Sequence, residues 1–366
     1  MVTARAMVLE AFRNPLVMRE FGVGTIPDGH VLVRLSAAGV CGSDLHMYQG
    51  KDPRTPLPII LGHEGVGHVE AVGGRVTDVD GHELAPGDPI IWDRGIMCGA
   101  CRMCVIERRP ALCASRRAYG IHIGAAEPPH LNGCYATHLM LRPGTRILSL
   151  RSRDAQQIDP AILVAASCSG ATAAHAAELA DIRVGDSVVI YGPGPLGAFL
   201  VAFSRARGAS RVIVVGGTGL RLEICQMLGA THTINRNETS PDERREMIMD
   251  ATGGRGARTV FDAAGSHDVV REAIDIVSTG GSVSLPGFAV PSGTMPVDIF
   301  GLTRRTISLQ GVWVSDARHL DEAFSLVMAN QEAFAKMVTH RFPLDRANEA
   351  LAAVRDREAV KAVLIP

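Results

Sequence analysis

The sequence predicts an α/β chain of two domains: a β-rich first domain, and a doubly wound parallel sheet inserted before the chain's last segment. The 366 residues are too many for one ordinary hydrophobic core. Residues 1 to about 150 show short apolar runs closely punctuated by glycine and proline, which is typical of strands and turns. From about residue 170, apolar runs alternate with helical patterns, as in a parallel sheet with helical crossovers.

In the first domain, period-two alternation predicts strands over 7–9, 30–35, 65–72 and 89–92. After an alanine-rich helix over about 171–180, six strands are expected over 187–191, 211–215, 231–234, 259–261, 281–285 and 307–309. The tail after 312 predicts a helix over 320–329, a strand over 339–344, and a final helix and strand. Because this tail is too short to fold alone, we expect it to return to the first domain.

Composition excludes several classes of function. The formal net charge is −1, so neither a nucleic-acid surface nor a polybasic membrane patch is expected. The start of the chain has no apolar run long enough for a signal peptide, and no uninterrupted stretch reaches transmembrane length. We therefore expect a cytoplasmic protein, in which the eight cysteines stay reduced.

A glycine-rich loop follows the first strand of the predicted sheet. Gly192, Gly194 and Gly197 form a GxGxxG, with Pro195 and Leu196 opening a helix behind it. Glycines at these positions allow a tight turn and let a pyrophosphate approach the backbone N–H groups at the helix N-terminus. The alternative is a plain glycine turn. The flanking strand and helix favour a dinucleotide site.

The second strand lacks the acid that would bind the adenosine ribose of NAD. It ends at Gly216, followed by Gly217, Thr218 and Gly219. Arg221 could meet a 2′-phosphate, or it could be a solvated residue at a helix start. The sequence therefore favours NADP over NAD, and Gly216→Asp is expected to shift the preference toward NAD.

Four cysteines cluster in one short segment: Cys98, Cys101, Cys104 and Cys113. In a reducing compartment such spacing indicates metal binding, and four thiolates close the tetrahedral shell of zinc. The segment therefore predicts a structural zinc site.

A second set of metal-ligating residues is dispersed along the chain. It contains Cys41, His63 with the adjacent Glu64, and Cys168. A mixed cysteine and histidine set with one open position is the pattern of catalytic zinc. From spacing alone Cys168 could equally be a small core residue, which is the usual role of a free cysteine.

Three further stretches complete a recognisable pattern: Gly62-His63-Glu64-x2-Gly67-x5-Gly73-x2-Val76, Gly-Val-Cys-Gly-Ser-Asp-Leu-His at 39–46, and Val-Lys-Ala-Val-Leu at 360–364. With the cysteine segment and the glycine loop, they resemble the zinc-containing medium-chain alcohol dehydrogenases over essentially the whole chain. The resemblance implies a GroES-like zinc-binding catalytic domain at 1–169 and 313–366, and a Rossmann domain at 170–312. In one departure, the gap between Cys104 and Cys113 is a residue longer than is usual in the family.

The resemblance also implies roles for individual residues. Cys41, His63 and Cys168 would hold the catalytic zinc, with Glu64 beside the metal and able to enter its shell. Asp44 would orient the imidazole of His63. The proton relay would use Ser43 and His46. Thr172 would face the nicotinamide, and Lys361 would contact the cofactor pyrophosphate.

The predicted chemistry is hydride transfer between an alcohol and NAD(P), with two zinc ions per chain. Zinc would lower the pKa of the alcohol, and Ser43 and His46 would carry its proton away. Related branches suggest a secondary alcohol of a polyol, sugar or cyclitol. The alternatives are a simple aliphatic or aromatic alcohol dehydrogenase, a quinone-reductase-like enzyme without zinc, and a non-enzymatic zinc protein that binds a partner. We also expect a homodimer or homotetramer formed through the exposed edge strand at 307–309.

Overall fold

The computed structural model describes residues 2–153, 155 and 157–366. It divides into two compact units. The first contains the segments Met1–Cys168, Asp316–Gln331 and Val338–Pro366, and the second contains Ser169–Ser315 and Glu332–Met337. Each unit draws on more than one stretch of the chain.

The first unit is built mainly from strands. Its elements before the chain enters the second unit are β1 Val2–Leu9, β2 Val17–Val23, β3 Val31–Val40, α1 Gly42–Tyr48, β4 Ile59–Ile60, β5 Gly65–Val72, β6 Pro89–Ile96, α2 Arg102–Val105, β7 Arg117–Ala118, β8 His138–Leu141, β9 Thr145–Ser149 and α3 Pro160–Leu163. A short 3-10 turn, Val164–Ser167, then leads to Cys168.

Two sheets organise this unit. A three-stranded sheet has the order β2-β1-β4, and an eight-stranded sheet contains β3, β5, β6 and β7, with β8 and β9 pairing to β3 and β6. The central strand β3 is buried along most of its length, and its antiparallel partner β5 carries His63 and Glu64 just before its first residue. Pairing of β3 with β5 therefore brings Cys41, just past the end of β3, close to His63.

The second unit is a doubly wound parallel sheet. Its elements are α4 Ser169–Leu179, β10 Ser187–Tyr191, α5 Pro195–Ala206, β11 Arg211–Gly216, α6 Gly219–Met227, β12 His232–Asn235, α7 Pro241–Ala251, β13 Ala257–Asp262, α8 His267–Ile276, β14 Val277–Leu285, α9 Ile299–Arg305 and β15 Ser308–Gly311. The six strands run in the order β12-β11-β10-β13-β14-β15, and all their pairings are parallel. The predicted α/β fold is confirmed.

Strand order reverses on either side of β10, the topological switch point of this sheet. In doubly wound folds a ligand binds at the carboxyl ends of the strands at such a point. The strand is apolar on both faces, because Val188, Val189 and Ile190 are completely buried. The glycine loop predicted for a dinucleotide follows directly after it.

The end of the chain returns to the first unit, with one exception. Its elements are α10 Ala317–Ala329, α11 Gln331–Met337, β16 Val338–Pro343, α12 Ala347–Arg355 and β17 Lys361–Ile365. Strand β17 pairs with β3 and so joins the eight-stranded sheet. The exception is α11, which packs with the second unit because Phe334 is fully buried against Phe199, with their ring centroids 4.5 Å apart.

Among the described residues, no single helix is both long and apolar enough to cross a membrane, although the consecutive helices Pro160–Ser167 and Ser169–Leu179 reach that length and apolarity when taken together.

Candidate active site and metal centres

The dispersed metal-ligating residues come together in the first unit. Ligand atoms of Cys41, His63, Glu64 and Cys168 all lie within 4.8 Å of one another. The two sulfurs are 3.9 Å apart, and Sγ of Cys168 is 3.4 Å from Nε2 of His63. In a tetrahedral zinc site with Zn–S bonds of about 2.3 Å and Zn–N bonds of about 2.0 Å, these separations would be about 3.8 and about 3.5 Å. The donor set therefore fits zinc in both chemistry and spacing.

The orientation of His63 is fixed by a buried carboxylate. Oδ1 of Asp44 lies 3.2 Å from Nδ1 of His63, which leaves Nε2 pointing toward the two sulfurs. Oδ2 of Asp44 accepts hydrogen bonds from the Cys41 amide at 2.8 Å and from the Tyr135 hydroxyl at 3.1 Å. Asp44 thus closes the first turn of α1 and also holds the histidine ligand, which is the arrangement typical of zinc-bound imidazole.

Electrostatics in this pocket favour a cation. Burial opposes a charged ring on His63, but Asp44 and Cys41 together raise its pKa to about 10. A hydrogen bond from Cys168 is the main cause that holds the pKa of Cys41 well below its usual value. A metal ion would replace the proton of His63 and balance the charge of the thiolate.

Glu64 is fully buried beside the metal ligands and pairs with Lys361. The Lys361 ammonium contacts Oε2 of Glu64 and also donates to the carbonyl of Val40 at 3.2 Å. Burial opposes the charge of Lys361, but Glu64 holds the pKa of Lys361 above its usual range. This contact keeps the carboxylate on the lysine side of the site. The contact predicted between Lys361 and the cofactor pyrophosphate stays a prediction.

The two residues predicted for the proton relay occupy the first turns of α1. The Ser43 hydroxyl lies 3.2 Å from Sγ of Cys41 and 3.3 Å from Nε2 of His63, so it borders the ligand set. His46 is one turn further on, and its buried Nδ1 has no hydrogen-bond partner among the described residues. Burial, followed by the nearby charge of Lys51, holds the pKa of His46 below its usual value. A neutral imidazole in this position can accept a proton.

The sequence reasoning missed a buried arginine beside the metal ligands. Arg94, on β6, donates from Nη1 to Sγ of Cys168, and it is only 6% exposed. Tyr135 was also missed, although it donates to Asp44. The sequence offered one signal for Arg94. It follows Asp93 in the apolar run of a buried strand, where charged side chains are unfavourable unless they are paired. No motif links Tyr135 to the site.

The four-cysteine segment forms a second cluster in the same unit. Ligand atoms of its four cysteines lie within 4.8 Å of one another. The sulfurs of Cys101 and Cys104 are 3.6 Å apart, and those of Cys98 and Cys113 are 3.5 Å apart. These separations fit a tetrahedral thiolate zinc site, with no position left for a substrate. The segment reaches Cys113 through α2 and a 3-10 turn at Pro110–Leu112.

In the second unit, the glycine loop has the geometry expected of a dinucleotide site. Gly192 has a φ of 97°, a conformation open to glycine, and Pro195 is the first residue of α5. A Cβ on Gly197 would lie 2.0 Å from the carbonyl oxygen of Gly192, so helix and loop pack at a distance that only glycine permits. Gly194 caps the helix in an extended conformation, and Leu196 lies in its first turn.

The end of β11 differs from the sequence expectation in one respect. A Cβ on Gly216 would lie 2.2 Å from Cγ of Pro193, so this position has no room for the aspartate proposed there. Thr218 caps α6, and a guanidinium nitrogen of Arg221 lies 3.7 Å from the Cβ position of Gly194. The Arg236 amide donates to the Gly216 carbonyl, so the backbone of a second arginine lies at this edge of the sheet.

Thr172 belongs to the second unit, on α4, and is partly buried. Cys168, which is predicted to bind zinc and lies just before that helix, belongs to the first unit. That Thr172 faces the nicotinamide therefore stays a prediction.

Comparison with known proteins agrees with both halves of this geometry. Residues 27–152 match the alcohol dehydrogenase GroES-like domain, and residues 195–329 match the zinc-binding dehydrogenase domain. The chain is 31% identical to the 5-exo-hydroxycamphor dehydrogenase of Pseudomonas putida, over 92% of this chain and 91% of that protein. The chain belongs to the zinc-containing medium-chain alcohol dehydrogenase family.

Solved structures give the same result. An alcohol dehydrogenase of Thermotoga maritima is 45% identical and superposes with a TM-score of 0.95, with all of both chains covered. A putative zinc-binding dehydrogenase of Sinorhizobium meliloti 1021, bound to NADP, is 26% identical with a TM-score of 0.85, again over the whole of both chains. The protein is accordingly a zinc-dependent, NAD(P)-dependent alcohol dehydrogenase that acts on a small-molecule alcohol.

Proposed function

We propose that the protein oxidises a secondary alcohol of a polyol, sugar or cyclitol, or reduces the corresponding ketone, with NADP as the favoured cofactor. The observation that carries the assignment of the site is the set of Cys41, His63 and Cys168, with Asp44 on the far nitrogen of the imidazole. A simple aliphatic or aromatic alcohol is the alternative substrate for the same mechanism.

In the balanced reaction, a secondary alcohol and the oxidised cofactor give a ketone, the reduced cofactor and one proton. The carbinol carbon loses its hydrogen as hydride, and the hydroxyl loses its hydrogen as the proton. A zinc ion held by the ligand set would act as a Lewis acid and lower the pKa of the hydroxyl, and a bound nicotinamide cofactor would take up the hydride. We infer that Cys41, His63 and Cys168 hold the catalytic ion, while Cys98, Cys101, Cys104 and Cys113 hold a structural one. This assignment gives two zinc ions per chain.

The protein's own contribution to proton transfer lies on α1. The Ser43 hydroxyl borders the metal ligands, and it can take the proton of the substrate hydroxyl. His46, neutral because its pKa is lowered, is the group that would accept this proton and release it to solvent. The buried pair of Glu64 and Lys361 keeps a second carboxylate near the metal without leaving its charge uncompensated.

The preference for NADP rests on the end of β11. No carboxylate follows the strand, and Pro193 occupies the space that a side chain on Gly216 would need. Arg221 lies against the glycine loop, where it could pair with a 2′-phosphate. The NADP-bound relative is compatible with this preference.

The homodimer or homotetramer is proposed from the edge of the parallel sheet. Strand β15 pairs only with β14 among the described strands. Next to it, Ile299 and Phe300 on α9 are 68% and 73% exposed, and Leu309 is 39% exposed. An open strand beside exposed apolar side chains favours pairing with a second copy. A cytoplasmic location also stays a prediction, supported by thiol clusters that require a reducing environment.

The test is a steady-state assay of secondary alcohols and their ketones with NADP and NAD, together with metal analysis. We expect about two zinc ions per chain and turnover that ends when a chelator removes the metal. Turnover of quinones by a zinc-free protein would instead support the quinone-reductase alternative. Failure to bind either cofactor would support a non-enzymatic zinc protein.

A further inference from the structure

Three arginines gather around the strand end that carries Arg94. Arg116 follows the last cysteine of the four-cysteine segment, and its guanidinium fills the space above Gly95, where a Cβ would lie 2.6 Å from Nη2. Arg54 approaches from the loop before β4, and its charge adds to that of Arg94 in lowering the pKa of Arg116. A concentration of positive charge of this kind in a partly buried site is unfavourable without an anion.

Arg94 is offset by Cys168 and by the carboxylates of Asp93 and Glu64, but the carboxylates near Arg54 and Arg116 leave Arg116 without a hydrogen-bonded partner. Asp52 is engaged by Arg54 through two hydrogen bonds of 2.8 and 2.6 Å. Asp93 attracts Arg116, but no ion pair forms between Arg116 and any carboxylate of the described residues. Burial, opposed by the charge of Arg116, raises the pKa of Asp93, which makes its negative charge less available.

Arg116 therefore has unused hydrogen-bonding capacity. Its Nε and Nη2 are both buried and have no hydrogen-bond partner among the residues that the structure describes. Burial and the repulsion from Arg94 and Arg54 lower the pKa of Arg116 to about 10, so it remains charged near neutral pH. An unsatisfied buried donor destabilises the folded chain, and a charged one does so more strongly. A ligand that accepts from it would recover this free energy.

The cluster lies next to the metal ligands. Arg94 contacts Sγ of Cys168 directly, and the charge of Cys168 also acts on Arg116. An anion held by Arg116 would therefore lie in the neighbourhood of the metal site. A guanidinium fork matches the oxygens of a carboxylate, phosphonate or phosphate.

We propose that Arg116 is a specificity-determining residue, which binds an anionic group carried by the alcohol substrate. This inference rests on the proposed function and deepens it. The substrate would be a polyol, sugar or cyclitol alcohol that also carries a carboxylate, phosphonate or phosphate, with the anion a short distance from the carbinol carbon. Arg54 and Arg94 add to the positive potential around this group.

The alternative role for Arg116 is structural, as a long-range partner of Asp93. A structural role would affect stability and every substrate equally. A role toward the cofactor phosphates would instead change the KM of the cofactor and leave discrimination between substrates intact. Both alternatives can be separated from the proposal by comparing charged and neutral substrates.

The experiment measures kcat/KM for matched pairs at saturating cofactor: 3-hydroxybutanoate against its methyl ester, and 2-hydroxypropylphosphonate against its dimethyl ester. These pairs separate a carboxylate site from a phosphonate site. In the wild type, one anion should be preferred over its ester by about 10- to 100-fold, as expected for a charge-assisted hydrogen bond. Arg116→Gln should remove that preference, chiefly by raising the KM of the anionic substrate. The kcat/KM of the esters should stay unchanged.

Arg117→Gln is the matched control. Arg117 is adjacent in the chain, but it turns toward Glu127, with a contact of 2.6 Å, so its removal takes away the same charge without touching the cluster. It should retain the preference for the anion. A loss of preference in Arg117→Gln equal to that in Arg116→Gln would overturn the proposal, because net charge alone would then explain it.

A binding measurement gives a readout without turnover. Acetate and inorganic phosphate are titrated into the zinc-loaded wild type and into Arg116→Gln, and the melting temperature is followed. A rise in melting temperature that saturates in the wild type and is absent in the variant supports an anion site. If Arg116→Gln does not fold, the wild-type substrate pairs still decide the question: equal or better use of both esters overturns the inference, while the proposed function stands. Absence of turnover with any alcohol would instead reject the proposed function.

Discussion

Cofactor preference should respond to a carboxylate at the end of β11, and the structure dictates which glycine can carry it. At Gly216 a Cβ would overlap the ring of Pro193, at 2.2 and 2.4 Å from two of its carbons. The proline belongs to the glycine loop and cannot move without displacing it. At Gly217 a Cβ would meet only the end of the Asn237 side chain, at 3.0 Å, and that amide can rotate away. We therefore choose Gly217→Asp.

The expected magnitude has two parts. A carboxylate and a phosphate about 5 Å apart in water repel by about 1–2 kcal/mol, part of which salt screens. Hydrogen bonds from the ribose hydroxyls of NAD to the new carboxylate contribute about 1 kcal/mol more. Together these effects should shift the ratio of kcat/KM for NADP over NAD by about 2 kcal/mol, or roughly 30-fold, toward NAD. Loss of the Asn237 hydrogen bond to the Gly217 carbonyl should lower stability slightly.

The assay measures kcat/KM for both cofactors in the wild type, Gly217→Asp and the uncharged control Gly217→Ala. Gly216→Asp is included for its melting temperature, since overpacking of this kind costs about 1–3 kcal/mol. The reasoning is refuted if Gly217→Asp leaves the cofactor ratio where Gly217→Ala leaves it, or if Gly216→Asp melts at the wild-type temperature. A wild type that strongly prefers NAD would mean that another group supplies the ribose contact.

Four further predictions address the rest of the site. Cys41→Ser should abolish turnover and lose one zinc ion while the other stays bound. Cys225→Ala, at a buried cysteine outside both clusters, should change neither turnover nor zinc content. Cys101→Ala should lower the melting temperature and soluble yield, because a structural zinc contributes directly to folding; an unchanged melting curve with full metal content would contradict this. The pKa of His46 is lowered, so the ring is neutral and can accept a proton at any pH above that pKa. The rate of alcohol oxidation should therefore fall only as the pH drops through a value below about 6.5. His46→Gln should change this acidic limb of the pH profile. Phe300→Asp should weaken self-association in light scattering, and a wild type that is monomeric at micromolar concentration would reject the proposed dimer.

The sequence alone determined the family and the α/β fold class, and it predicted the division into two domains and the types of metal ligand. These follow from local spacing: the four cysteines lie within sixteen positions, 98 to 113, and the glycine loop is bounded by a strand and a helix of clear periodicity. The strands of the parallel sheet were predictable because buried parallel strands are short apolar runs. The helix α1 was missed because it begins directly at Cys41 and spans only seven residues.

Only the tertiary structure showed how the distant residues grouped by the family resemblance are brought together, and it added Tyr135 to them. Asp44, His63, Tyr135 and Cys168 are separated by up to 124 positions, and pairing of β3 with β5 and the turn before α4 bring them together. The overlap between Gly216 and Pro193 likewise depends on how a loop folds over a neighbouring strand, which no local pattern encodes. The environment of Arg116 was equally hidden. An arginine is a surface residue by composition, and its unmatched charge is visible only once Arg94 and Arg54 have folded against it.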